Sequence, residues 1–397
     1  MRGYKRTSTT ATALALGAAL LLAAATACSH GPVGTTSDDG KTPGKEARAP
    51  FTLVATGDIL PHDSVIQQAN RDAGGKGHDF RPMLAGVKPV ISVADLAICH
   101  METVYGPAGG PYSGYPAFVS PPQLAAAAKD TGYDSCSTAS NHTLDAGSQG
   151  IGRTLHALDA AGVAHTGSAR TPAEARRPAL LEAGGATVAQ LAYTYGTNGA
   201  EPPPDQPWAV NVTDPERIVS DARRARRAGA DIVVVSLHWG TEWQDAPDAT
   251  QRQLARELTG SRSARAPDVD LILGTHAHVP QAYEKVNGTW VVYGMGDQIA
   301  GRMINNAGAH DPRGNQGTIA RFTFSPPAPD SARWRVTKAE YLPQFMDHDR
   351  TGPPRVVDLD AELADGDAPE RYQRVRDRIS DVVLSRGAAA DGLTAPR

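Results

Sequence analysis

The chain has 397 residues, 40% of them hydrophobic, enough for one large core or two modest ones. A net charge of −4 excludes the global basic field of a nucleic-acid binder. Gly (40) and Pro (30) are frequent and aromatics make up only 6%, which suits many short loops.

Arg2, Lys5 and Arg6 precede an apolar run over residues 11–25 that is too short for a comfortable membrane span. Ala25-Thr26-Ala27-Cys28 then resembles a bacterial lipobox, although Leu is more usual where Ala25 stands. That reading places cleavage before Cys28 and a diacylglycerol on its sulfur, which anchors the protein outside the membrane. The alternative is an ordinary secretory signal cut near Ala27 and a secreted product. Residues 1–27 are thus a lipoprotein signal peptide and 28–50 a flexible tether, rich in Gly, Pro, Ser and Thr. As a coil the tether spans about 25 Å.

Residues 51–55 (FTLVA) predict a first strand, which runs into Thr56-Gly57-Asp58. A helix over 87–93 leads to a second strand, 94–99, which ends in His100-Met101-Glu102. A helix opens at 121–129 with Pro in its first turn. The third strand, 133–138, precedes Ala139-Ser140-Asn141-His142. An amphipathic helix over 151–162 stops at glycine, and strands follow at 163–167 and 187–193. Cys99 and Cys136 lie in strand-like runs and read as buried free thiols rather than a disulfide.

Asp214-Pro215-Glu216 opens a basic helix that continues through Arg227. Its arginines are most simply a solvated face, with a phosphate-binding patch as the lesser reading. The buried strand 231–237 ends in His238-Trp239-Gly240-Thr241-Glu242. After a helix at 250–258, the apolar run 269–273 is closed by Gly274, and His276 and His278 follow. Two imidazoles two residues apart, just past a strand's carboxyl end, can face one crevice. Two solvated turn histidines are the bland alternative. Strand 290–293 leads to Asp297, and 317–324 and 334–345 complete the sheet pattern. A charged helix over 368–386 closes the chain. Prolines at 326–329 have sheet on both sides, which favours one domain, 51–346, with a helical tail, 347–397.

Ligand-type residues therefore follow strand after strand: Asp58, Glu102, Asn141-His142, His238, His276 and His278. Two carboxylates, an amide oxygen and three imidazoles form a mixed O/N set. It suits a pair of divalent transition metals (Mn, Fe or Zn) better than a thiolate zinc site. Such pairs are common in hydrolytic sites.

The runs TGDIL, HMETVYGP, ASNHTLDAG, SLHWGTEW, GTHAHVPQ and VYGMGDQ resemble the CapA, or poly-γ-glutamate capsule synthesis, family. That family belongs to the calcineurin-like metallophosphoesterase superfamily. The resemblance covers about residues 51–302, with a weaker likeness over 317–324. It implies an α/β fold, a four-layer αββα sandwich of the metallo-dependent phosphatase type with a dinuclear metal site. By position it assigns Asp58, Glu102, Asn141, His238, His276 and His278 as metal ligands. His142 takes the role of the catalytic histidine that helps the leaving group depart. Two departures stand out: Asn is usual where His100 stands, and Asn-Phe where Asp297-Gln298 stands. His100 is expected as an extra ligand or a supporting donor, and Asp297, His62 and Glu242 near the site as supporting residues, with a solvated loop position the default for His62.

The resemblance further implies an extracytoplasmic protein of capsule or poly-γ-glutamate synthesis or export. Its metal site would be able to activate water for hydrolysis, as in metal-dependent phosphoesterases. Expected partners are an anionic polymer or phosphoester substrate, a capsule synthesis complex, and the membrane through the lipid anchor. Nucleic acid is not expected. The alternative is a non-catalytic factor that binds or assembles an anionic polymer, with metals and the arginines of 217–227 holding carboxylates. A decayed site is the weakest option, because no core ligand is missing.

Overall fold

The computed structural model describes residues 48–263, 266–328 and 333–396. The expected signal peptide, Cys28 and the tether up to residue 47 lie outside the described residues. Among those described, no helix is long and apolar enough to cross a membrane.

Two sheets carry the fold. The larger has nine strands. Its parallel part runs side by side through Phe51–Leu60, Leu96–Met101, Ser135–Ser137 and Ala164–Thr166. Gln316–Ser325 and Arg335–Asp347 extend it antiparallel on the other side of the first strand. The second sheet has six strands in the order Tyr283–Val286, Thr289–Val292, Leu271–Thr275, Ile232–His238, Ala186–Thr194 and Ala179–Ala183.

Side-chain alternation assigns the layers. Leu53, Ala55, Ile232, Val234, Leu271 and Leu273 enter one apolar cluster shared by both sheets. Their sequence neighbours point the other way. Val54 joins Leu124, Ala128, Ile151, Leu155 and Leu158 of the helices Gln123–Thr131 and Gly147–Ala161. Val233, Val235 and Ile272 join Ile218, Ala222, Leu254 and Leu258 of the helices Pro215–Arg227 and Ala249–Gly260. Helix, sheet, sheet, helix: this is the four-layer αββα sandwich expected. Strands read as continuous apolar runs because both their faces are covered.

Neighbouring segments within each sheet meet without clearance at the strand ends. A Cβ on Gly57 would lie 1.7 Å from the Gly296 carbonyl oxygen, and one on Gly274 would lie 2.1 Å from that of Tyr293. Neither neighbour is a side chain that can swing away. Gly57→Ala is therefore expected to cost about 3 kcal/mol or more, beyond ordinary overpacking. Chemical denaturation would measure the loss, and an unchanged midpoint would refute this close packing.

Two expectations need correction. Cys99 and Cys136 are joined in a disulfide rather than free. They are direct Cα partners on adjacent parallel strands, 4.4 Å apart. Strand prediction puts each cysteine on a strand but gives no register between strands. The segment 347–397 is also more than a helical tail. Arg355–Asp358 and Leu393–Thr394 are strands of the large sheet. The helix Glu370–Leu384 buries Tyr372, Ile379 and Val383 in the same apolar cluster as Phe51 and Leu53. Its many charges hide an i, i+7, i+11 apolar stripe.

Candidate metal centre

All the parallel strands deliver their carboxyl ends to one rim, where open α/β sheets place ligands. Asp58 lies directly beside His100 in one sheet, and His238 beside Thr275 in the other. The turn after Ser135–Ser137 is fixed by its own hydroxyls. Ser140 Oγ donates to the Glu102 carbonyl (2.5 Å) and accepts from the His142 N–H (3.0 Å). Past Leu271–Thr275, His276 and His278 adopt φ of +91° and +57°. Such strained left-handed backbone in non-glycine residues concentrates at functional sites.

These turns gather a buried cluster. Asp58, Glu102, Asn141, His238, His276 and His278 are all buried. His238 Nε2 stands 2.8 Å from Asn141 Oδ1 and 3.8 Å from Glu102 Oε1. His238 Nδ1 and His278 Nδ1 lie 3.8 and 4.0 Å from the Asp58 carboxylate. The His276 N–H donates to Asp58 Oδ2 at 3.1 Å. Ligand atoms of Asp58, His100 and His238 lie within 4.8 Å of one another, as do those of Glu242, His276 and His278, and those of Asp58, His278 and Asp297.

Several polar atoms here are buried yet lack a hydrogen-bond partner among the described residues. They are both carboxylate oxygens of Glu102, His276 Nδ1, His100 Nε2 and Asp297 Oδ2. Burying charge without a counter-charge costs several kcal/mol per ion. Burial pushes the Asp58 carboxyl well above its ordinary range, with Asp297 adding to it, and Glu102 likewise, with Asp58 adding to it. Burial also drives His238 and His276 well down, so their imidazoles are neutral with lone pairs free. Buried oxygens and neutral imidazoles converging in one cluster are a donor set that divalent metal satisfies.

The supporting residues are in place. His278 Nδ1 is 2.9 Å from Asp297 Oδ1. Burial works against the His278 imidazolium, but Asp297, Glu102 and Asp58 outweigh it and hold it well above its usual value. His142 Nδ1 faces Asp145 Oδ2 at 2.7 Å, and Asp145 also accepts the Phe118 N–H at 2.7 Å. His62 is no solvated loop histidine. It packs edge-on against Phe118, and burial pushes it down to about 4.

Above the cluster opens a cavity of about 810 Å³. Asn141, His142, His278, Glu242 and His62 line it beside Tyr115, Phe118, Trp243, Asn198 and Arg302. Sequence reading missed the last five and Tyr195, whose ring lies 4.5 Å from that of His276. Position after the strand Ala186–Thr194 was the only cue to Tyr195 and Asn198. Gln281 proves to be scaffolding: its Nε2 donates to the Gln244 carbonyl at 2.8 Å. The arginines of 217–227 do not line the cavity. Arg217 and Arg224 pair with Asp221, Arg223 with Asp268 and Arg226 with Asp270.

Fold and cluster together define an α/β sandwich of the metallophosphatase type. Residues 52–302 match the family described as bacterial capsule synthesis protein PGA_cap, and the chain belongs to that family. The PGA biosynthesis protein CapA of Bacillus subtilis (strain 168) is 31% identical over 172 residues, 43% of this chain and 43% of that protein. The capsule biosynthesis protein CapA of Bacillus anthracis is 26% identical over 176 residues, 44% and 41% of the two chains. The matched region thus spans less than half the length of either relative. Among solved structures, the calcineurin-like phosphoesterase YfkN from Bacillus subtilis matches with a TM-score of 0.45 and 14% identity, covering 84% of this chain and 99% of that one. The 5'-nucleotidase precursor from Thermus thermophilus gives 0.42 and 16%, covering 85% and 59%.

Proposed function

We propose that the protein is a metal-dependent phosphoester hydrolase serving the synthesis or export of a capsule polymer outside the cytoplasm. The observation that supports it is the set of unpartnered, buried oxygen and nitrogen atoms in a cluster whose Asn141 and His278 line an open cavity. Asp58, Glu102, Asn141, His238, His276 and His278 would hold two divalent ions, Mn, Fe or Zn. Bound there, the ions supply Lewis acidity and offset charge that gathers on a phosphoryl group. The chain's own residues do the rest. Asp145 holds His142 through Nδ1, which leaves Nε2 for the cavity. As an imidazolium, His142 passes that Nε2 proton to the departing oxygen. Asn198 accepts from Asn141 Nδ2 at 3.2 Å, which keeps the amide oxygen turned toward His238. Tyr115, Phe118 and Trp243 give the cavity an aromatic side.

Purified protein lacking residues 1–28 tests this reading. Metal content would be measured, then hydrolysis of phosphodiesters and of γ-linked glutamate peptides. Metal-dependent release of phosphate or alcohol is the expected result. Full metal occupancy without turnover of either class would return the site to polymer binding or assembly.

Lipid anchoring at Cys28 is part of the same proposal. Cys28→Ser is expected to stop processing or release the protein from the membrane fraction. Unchanged processing together with unchanged membrane association would remove the anchor.

A further inference from the structure

His100 and His238 are held by the same device, one in each sheet. His100 is buried, and its Nδ1 lies 2.8 Å from Ser137 Oγ, on the neighbouring strand and in direct register. The Ser137 hydroxyl also lies 3.4 Å from the Cys99 carbonyl oxygen. With Ser137 Oγ as the acceptor of that 2.8 Å contact, the His100 proton sits on Nδ1. His238 repeats the pattern. Its Nδ1 lies 3.0 Å from Thr275 Oγ1, also in register on the adjoining strand, and that hydroxyl faces the Leu237 carbonyl at 3.5 Å. The two rings stack at 4.8 Å between centroids, with planes 25° apart.

In that tautomer the lone pair of each histidine is left on Nε2. For His238 it faces Asn141 Oδ1 and Glu102. For His100 it is buried, has no hydrogen-bond partner among the described residues, and lies 3.6 Å from Asp58 Oδ1. That distance is too long for a hydrogen bond. A tautomer with Nδ1–H would in any case present two acceptors to each other. A cation between them satisfies both.

We propose that His100 is a seventh metal ligand, binding a divalent ion through Nε2 together with Asp58, and that Ser137 is the positioning residue that sets its tautomer. This rests on the metal-binding reading above, and it gives a role to a residue that departs from the family's usual Asn. His100 would supply a third imidazole, beside His238 and His278, on the Asp58 side of the cluster. Replacing an amide by an imidazole shifts that position toward borderline metals such as Zn or Co.

The test uses the metal-free protein, titrated with Zn²⁺ and Co²⁺ by calorimetry, with the visible spectrum of the Co²⁺ form as a second readout. His100→Phe keeps a ring for the stack on His238 but has no lone pair. It is expected to lose an ion, or to bind one far more weakly, and to change the Co²⁺ bands. Ser137→Ala leaves His100 in place and frees its tautomer. It is expected to weaken the same ion by roughly 10–100-fold, as loss of an outer partner does. The Ser137→Ala measurement stands even where His100→Phe fails to fold. Wild-type affinity, stoichiometry and Co²⁺ spectrum in folded His100→Phe would overturn the proposal while leaving the metal centre intact. A wild-type protein that binds no ion would instead overturn the metal centre itself, and His100 with it.

Discussion

Asp58→Asn is expected to abolish the stabilisation that divalent metal gives the wild-type protein. Asp58 sits in the middle of the cluster, fully buried and within about 4 Å of His100, His238 and His278. Its backbone is a direct neighbour of both His100 and Asp297. An ion that binds only the folded state stabilises by about 2.7 kcal/mol at a hundred times its dissociation constant. The wild type should gain that much on titration from the metal-free state, and the Asn variant little or none. The metal-free comparison should run the other way. Burial and the nearby Asp297 both oppose a charge on Asp58, so the neutral amide relieves the empty site. Thermal unfolding with and without metal reads both effects. A variant that keeps the full metal-dependent shift would show that Asp58 binds no ion.

His142→Asn separates chemistry from metal holding. The His142 ring bonds Asp145 through Nδ1 and borders the cavity. Its neighbour Asn141 turns instead to His238. The variant should keep full metal content and lose roughly 10²–10⁴-fold in turnover, the usual worth of a general acid. The loss should shrink for phosphoesters whose leaving groups need no proton. Asp145→Asn should reproduce part of the defect, because an amide no longer steadies the imidazolium. Metal loss in His142→Asn would make it a ligand or a structural residue. Unimpaired turnover of a substrate that the wild type hydrolyses would remove the acid role.

Much of this was legible in the sequence because a buried parallel strand leaves two marks. One is a short apolar run, and the other is a polar residue at its carboxyl end. Asp58, His238 and the His276/His278 pair each follow such a run, so both their existence and their convergence could be read. The layers were legible too, since Leu53, Val54 and Ala55 alternate between two cores. What stayed hidden depends on register and on distant packing. The disulfide requires Cys99 opposite Cys136, and the tautomer of His100 requires Ser137 opposite it. Neither pairing is written in local periodicity. Tyr195 and Asn198 reach the site from a loop with no ligand-type residue to mark it. The pairing of the arginines of 217–227 was hidden as well. Their charge is conspicuous in sequence, but not that Arg217 and Arg224 pair with Asp221, Arg223 with Asp268 and Arg226 with Asp270.

The central claim is that the buried cluster is a metal centre. Anomalous diffraction from crystals soaked in Mn²⁺ tests it most directly. The account predicts anomalous peaks within coordination distance of Asp58, Glu102, Asn141, His238, His276 and His278. Saturating Mn²⁺ with no anomalous density among these six residues would contradict it.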